Sequence, residues 1–149
     1  MLNEEFPLEH RNDQGINPRT MAACMEACAA CALACDACAD GCLGENAIAE
    51  LRHAIRLDLQ CADICVCTAR VLARSIDVEP RLLRSQILAC ARACAACADE
   101  CHRHEQHHAH CRLCAQACRL CAERCGDLLR ELPDTYGGTH PRRVQADHH

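Results

Sequence analysis

A chain of 149 residues with 18 cysteines, one phenylalanine (Phe6), one tyrosine (Tyr136) and no tryptophan cannot fill a core with aromatic side chains, which leaves cysteine as the candidate. The net charge is −5 and all sixteen basic residues are arginines, scattered without a basic tract, so the footprint of a nucleic-acid binder is excluded. Cysteine at about 12% would suit a secreted disulfide scaffold, but acidic residues and Pro7 stand where a signal peptide needs basic and apolar regions, and no apolar run approaches a bilayer span; a reducing, cytoplasmic setting with no membrane partner is expected.

Residues 1–16 read as a polar, irregular segment with a short helical turn around Glu4 to Glu9. Asn17-Pro18 is a helix start, a capping side chain followed by proline at the first helical position. The first helix runs to about Cys42, where Gly41 and Gly44 offer a stop. A second helix spans about Asn46 to Ser75. Asp77 and Pro80 mark the next boundary, and the third helix reaches about His104. The fourth covers about His107 to Leu132 and ends at Pro133. Residues 133–149 have the glycine, proline and polar content of a disordered tail. Three short connections make neighbouring helices antiparallel, so residues 17–132 are expected to form an all-α, up-down-up-down four-helix bundle.

The cysteines fall on these helices in one rhythm. Cys24, Cys28, Cys31, Cys35, Cys38 and Cys42 are spaced 4, 3, 4, 3, 4. A helix turns about 100° per residue, so these steps return to one face and draw a thiol stripe roughly 27 Å long. Cys90, Cys94, Cys97 and Cys101 repeat the rhythm on the third helix, and Cys111, Cys114, Cys118, Cys121 and Cys125 on the fourth. The second helix carries only Cys61 and Cys65 in step. Each stripe occupies the positions that normally hold leucine, which predicts a bundle lined by sulfur. Thiols at i,i+3 and i,i+4 are spaced to share a ligand, whereas a disulfide between them would strain the helix. Cys67 follows Cys65 by two, about 200° around the helix; either it points outward or the second helix is distorted there, and it is kept as a candidate ligand.

The two ends differ. Three residues beyond Cys101 stands His104, and three before Cys111 stands His108, so at one end the stripes pass from thiol to imidazole. Asp58, three before Cys61, belongs to the same end, as a partly solvated polar residue or an auxiliary ligand. His102, His107 and His110 are off the stripes and read as surface residues. At the other end the stripes run into Leu72, Leu83, Ile87, Leu128 and Leu132, a hydrocarbon plug. Met21, three before Cys24, is chemically suitable as a ligand but reads as packing. The histidine end is the expected way in.

Thiolates select soft cations: Cu(I), Zn(II) or iron–sulfur clusters. Eighteen buried thiolates carry eighteen negative charges, and no arginine lies on the stripes to offset them. Zinc in sites of four cysteines would leave roughly ten of those charges in an apolar interior. About one Cu(I) per cysteine leaves the core near neutral, and bridging sulfurs can link one ion to the next. The alternatives are a zinc thiolate store and an iron–sulfur or thiol-redox oxidoreductase. The ferredoxin spacing is absent, and the five CxxC intervals belong to continuous stripes rather than to a βαβ unit.

A cysteine-lined bundle with CxxxC pairs along its helices and histidines at one end resembles the bacterial copper storage proteins, and without a signal peptide it is similar to their cytosolic branch. The resemblance covers about residues 18–132. It implies a non-enzymatic store holding many Cu(I) ions along the core, loading at the histidine-containing mouth, and a homotetramer of bundles. A copper donor or acceptor, a chaperone or a small thiol, would be its partner.

Overall fold

The computed structural model describes residues 15–133, so the expectations for residues 1–14 and for the tail beyond Pro133 lie outside the described residues. Four helices follow one another: α1 (Pro18–Leu43), α2 (Ile48–Ala73), α3 (Pro80–His104) and α4 (Ala109–Glu131), with a 3-10 turn at Ser75–Asp77 between α2 and α3. Asn17 caps α1 as expected, its side chain accepting the Arg19 N–H at 2.9 Å, with Pro18 in the first turn. Glu79 caps α3 in the same way, accepting the Leu82 N–H at 2.7 Å. Three boundaries move inward. α2 starts at Ile48 after Ala47, which offers no capping side chain, and it yields to the 3-10 turn before Ser75. α4 starts at Ala109 because His108 is extended, with φ −136° and ψ 108°.

Short connections turn each helix back on the last. α1 packs on α2 and α4, and α3 packs on the same two, giving a square bundle with α1–α3 and α2–α4 as its diagonals. The stripe of α2 keeps the rhythm of the others although its residue types change: Leu51, Ala54, Asp58, Cys61, Cys65, Thr68 and Leu72 are all buried. Thr68 closes the polar part of that stripe by donating to the Ile64 carbonyl (2.7 Å) and accepting from Gln86 Nε2 (2.9 Å).

The closed end is a hydrocarbon plug of Ile16, Met21, Leu72, Leu83, Ile87, Leu128 and Leu132. Met21 belongs to it as packing, its thioether accepting the Ser75 hydroxyl at 2.8 Å. By length and composition alone α1 could cross a membrane, contrary to the reading that no apolar run is long enough. Alanine and cysteine make it apolar, with only Glu26 and Asp36 as charges between Met21 and Cys38. Half of its most apolar stretch is buried in the bundle, where the thiol face meets the other helices.

Candidate metal centre

Seventeen of the eighteen cysteines are buried and unpaired by disulfides. Their sulfurs form a continuous ladder down the bundle axis. Cys24 and Cys125 stand nearest the plug, 3.7 Å apart. Next come Cys28, Cys90 and Cys121, with Cys28 3.7 Å from Cys90 and 3.6 Å from Cys121. In the middle, Cys31 meets Cys118 at 3.6 Å and Cys94 at 3.9 Å, and Cys65 meets Cys94 at 3.5 Å. Toward the mouth Cys35 meets Cys114 (3.7 Å) and Cys97 (4.0 Å), then Cys38 meets Cys101 (4.0 Å) and Cys111 (3.9 Å). Cys42 ends the ladder, 3.9 Å from Cys111. The i,i+4 pairs Cys31–Cys35, Cys61–Cys65 and Cys114–Cys118 are 3.8–3.9 Å apart.

These separations decide what the core can do. A metal–sulfur bond is about 2.3 Å, so a soft cation can touch two sulfurs 4 Å apart without moving a helix. The donors fall into overlapping sets of four whose ligand atoms all lie within 4.8 Å of one another, among them Cys28/Cys90/Cys121/Cys125, Cys31/Cys65/Cys94/Cys121 and Cys35/Cys97/Cys114/Cys118. Because Cys31, Cys35, Cys114, Cys118 and Cys121 each belong to two such sets, the sites are linked rather than isolated.

Asp58 lies deeper than the sequence suggested. It has no exposed surface, and one carboxylate oxygen accepts from Cys97 (3.1 Å), Cys114 (3.2 Å) and Cys101 (3.5 Å). Its other oxygen is buried with no hydrogen-bond partner. Burial pushes its pKa from 3.8 up to about 7. With Cys38, Cys101 and Cys114 it makes a mixed donor set one layer inside the mouth. Burial also pushes the Cys42 and Cys111 thiols up, so each must be deprotonated as a metal arrives.

The histidines form the rim. His104 Nε2 is 3.1 Å from Glu100, and His108 Nδ1 is 3.2 Å from Glu45. His102 is exposed and pairs with Glu105 at 2.7 Å, and His107 is exposed. His110 is not the surface residue it was read to be. Its Nε2 lies 3.5 Å from Cys42 Sγ, the only imidazole among the described residues that a hydrogen bond ties to a thiol. Its placement depends on Gly41 of α1, which leaves room for the ring, and a glycine directly before the last cysteine of a stripe was the available signal. Cys67 stays out of the core: α2 is regular through this turn, so the rotation of about 200° puts the thiol on the outer surface beside Asp63, Arg70 and Arg74.

The sequence profile of the family described as copper storage protein matches residues 17–130. The chain belongs to the copper storage protein family. It is similar to the copper storage protein Ccsp of Streptomyces lividans loaded with ten copper equivalents, at 44% identity and a TM-score of 0.82, covering 89% of this chain and all of that one. The five-copper form of the S. lividans protein, described as cytosolic, is 50% identical with a TM-score of 0.74, over 75% of this chain and 93% of that one. Cu(I)-bound BsCsp3 of Bacillus subtilis is 38% identical with a TM-score of 0.67, over 74% of this chain and 98% of that one. Family and fold therefore select copper storage over the zinc and redox readings of the thiol core.

Proposed function

We propose that this chain is a cytosolic Cu(I) store with no catalytic step, filled to about one ion per core thiol. The observation that carries the reading is the continuity of the ladder, in which seventeen buried cysteines have no break wider than a shared cation can bridge. The ligands are Cys24, Cys28, Cys31, Cys35, Cys38, Cys42, Cys61, Cys65, Cys90, Cys94, Cys97, Cys101, Cys111, Cys114, Cys118, Cys121 and Cys125, with Asp58, His104 and His108 serving the sites at the mouth. Cys67 adds nothing to capacity.

Loading proceeds by ligand exchange. A copper chaperone or small thiol delivers Cu(I) at the histidine rim, and the ion passes to Cys42 and Cys111 and on to Cys38 and Cys101. Each thiol that takes a share of an ion releases its proton. The leucine plug closes the far end, so ions enter and leave by one route. By resemblance to the family the bundles assemble as a homotetramer, for which the outward-facing Leu33, Leu113 and Leu120, each about half exposed or more, offer apolar surface. Sedimentation of the reduced chain at a tetramer mass supports that assembly, and a monomer mass at all concentrations rejects it.

The deciding experiment is an anaerobic Cu(I) titration of the fully reduced protein against a colorimetric Cu(I) chelator. A sharp end point near one copper per buried cysteine, with the chelator outcompeted until then, is expected. Saturation after only a few ions, or ready loss to the chelator, would refute storage.

A further inference from the structure

Two properties of the thiol ladder decide which cations it can hold: how far its sulfurs can adjust, and how much charge it can carry. The spacing is adjustable. A cysteine sulfur is placed by a single side-chain torsion with separate staggered wells, so a pair of sulfurs can open or close without moving a helix. Buried Ala27, Ala32, Ala39, Ala62, Ala98 and Ala115 pack into the same core and add little bulk beside the thiols. In the copper-free chain the separations already run from 3.5 Å for Cys65–Cys94 to 4.0 Å for Cys38–Cys101. Ion size is therefore a weak criterion in this core.

The charge is not adjustable. All sixteen basic residues are arginines, and none is buried among the described residues. Asp58 is the carboxylate that touches the ladder, and it adds to the negative side. An unpaired charge in such an interior is costly, so an arriving ion must bring the charge that the departing protons carried. A monovalent ion does so at one per thiol. A divalent ion does so only with two thiolates to itself, and a four-thiolate site of the zinc kind adds two negative charges. Thiolates also select soft cations, which removes the alkali ions. Besides Cu(I), Ag(I) meets these conditions.

We propose that the bundle is a store for soft monovalent cations as a class, selecting its cargo by charge rather than size, and that it takes up Ag(I) on the same seventeen buried thiols. The proposal rests on the Cu(I)-store reading above. In each step one Ag(I) leaves its solution ligands, and a sulfur–silver bond forms as a sulfur–hydrogen bond breaks. The proton passes to water, neighbouring sulfurs share the ion, and silver keeps its oxidation state.

The test is an anaerobic titration of the reduced, copper-free Cys67→Ser chain, which lacks the exposed thiol. Silver nitrate is added in chloride-free buffer, with free histidine present to strip silver from surface imidazoles. Native mass spectrometry counts the ions and a pH-stat counts the protons. About seventeen Ag(I) should bind, one per buried cysteine, with one proton released per ion. Cd(II), soft but divalent, should stop at about eight ions or fewer, half the number of buried thiols. A chain already filled with Cu(I) should take up silver only as copper leaves, because the two share their sites. Saturation after a few silver ions, in a protein that does fill with Cu(I), would overturn the proposal and leave copper storage standing. Cd(II) retained at one ion per thiol would overturn selection by charge, and silver bound without release of copper would place it outside the ladder. A protein that takes only a few ions of either Cu(I) or Ag(I) would reject the storage reading and this proposal together.

Discussion

Replacing Asp58 by asparagine should make the copper-free protein more stable at neutral pH, by an amount that the structure bounds. Asp58 is fully buried, one oxygen accepts from three thiols and the other has no partner. Burial raises its pKa from 3.8 to about 7. The folded state therefore holds this proton more tightly than the unfolded chain, and wild-type stability falls as pH rises from about 4 through about 7, then levels off. At about 1.4 kcal/mol per pH unit the rise corresponds to a cost of at most about 4 kcal/mol above neutrality. Asp58→Asn keeps the acceptor oxygen for the thiols, puts an N–H₂ group where the unpartnered oxygen stood, and removes the titration. Anaerobic guanidinium unfolding of both proteins with a reductant, followed by circular dichroism across this pH range, gives the difference in stability, in which titrations common to both proteins cancel. The difference should grow with pH in favour of Asp58→Asn by a few kcal/mol. A pH-independent difference, or one that shrinks as pH rises, would refute the account of Asp58 as a buried, strained carboxylate.

Other expectations follow from the placement of individual side chains. Cys67→Ser should leave the Cu(I) end point unchanged, whereas Cys31→Ser, at a sulfur within 4.0 Å of those of Cys35, Cys61, Cys94 and Cys118, should lower it; chelator titration compares the two. Leu83→Ala opens a cavity in the plug and should destabilise the copper-free bundle by about 2–5 kcal/mol, read by denaturant unfolding, without lowering capacity. Cys42→Ser should slow the initial uptake of Cu(I) more than Cys24→Ser or Cys125→Ser, and equal rates for mouth and closed-end variants would contradict a single entrance.

Much of the bundle is legible in the sequence because its signals are local. Asn17-Pro18 caps α1 by groups two residues apart, and the three full stripes need only the period of a helix to be assigned to one face. Cys67 was only half legible: a step of two from Cys65 left open an outward thiol or a distorted helix, and the regular course of α2 turns it outward. What the sequence could not show depends on how one helix is set against another. The depth of Asp58 follows from Cys97 and Cys101 on α3 and Cys114 on α4 closing over it. His110 is off its own stripe, and its ring reaches Cys42 by passing close to Gly41 on the facing helix, where a Cβ would stand 3.0 Å from the ring. α1 passes as a membrane-crossing helix by composition because thiols count as apolar, and only the neighbouring stripes give those thiols somewhere else to go.

The same small, weakly polar side chain explains how the protein folds empty and functions full. Protonated, a thiol packs as a compact hydrophobe, so the copper-free thiol ladder carries no charge beyond that of Asp58; the other buried carboxylate, Glu100, stands at the rim beside His104, and no arginine is buried among the described residues. Loading must keep that condition, because unpaired charge in an apolar interior is costly. Exchange of one proton for one Cu(I) at each thiol does so at every stage of filling. Four zinc ions in four-cysteine sites would leave seventeen thiolates with about nine uncompensated charges. Monovalent cargo and closely spaced sulfurs therefore belong together. The ladder lets each ion share thiolates with its neighbours, and the plug at one end with imidazoles at the other gives the exchange a direction.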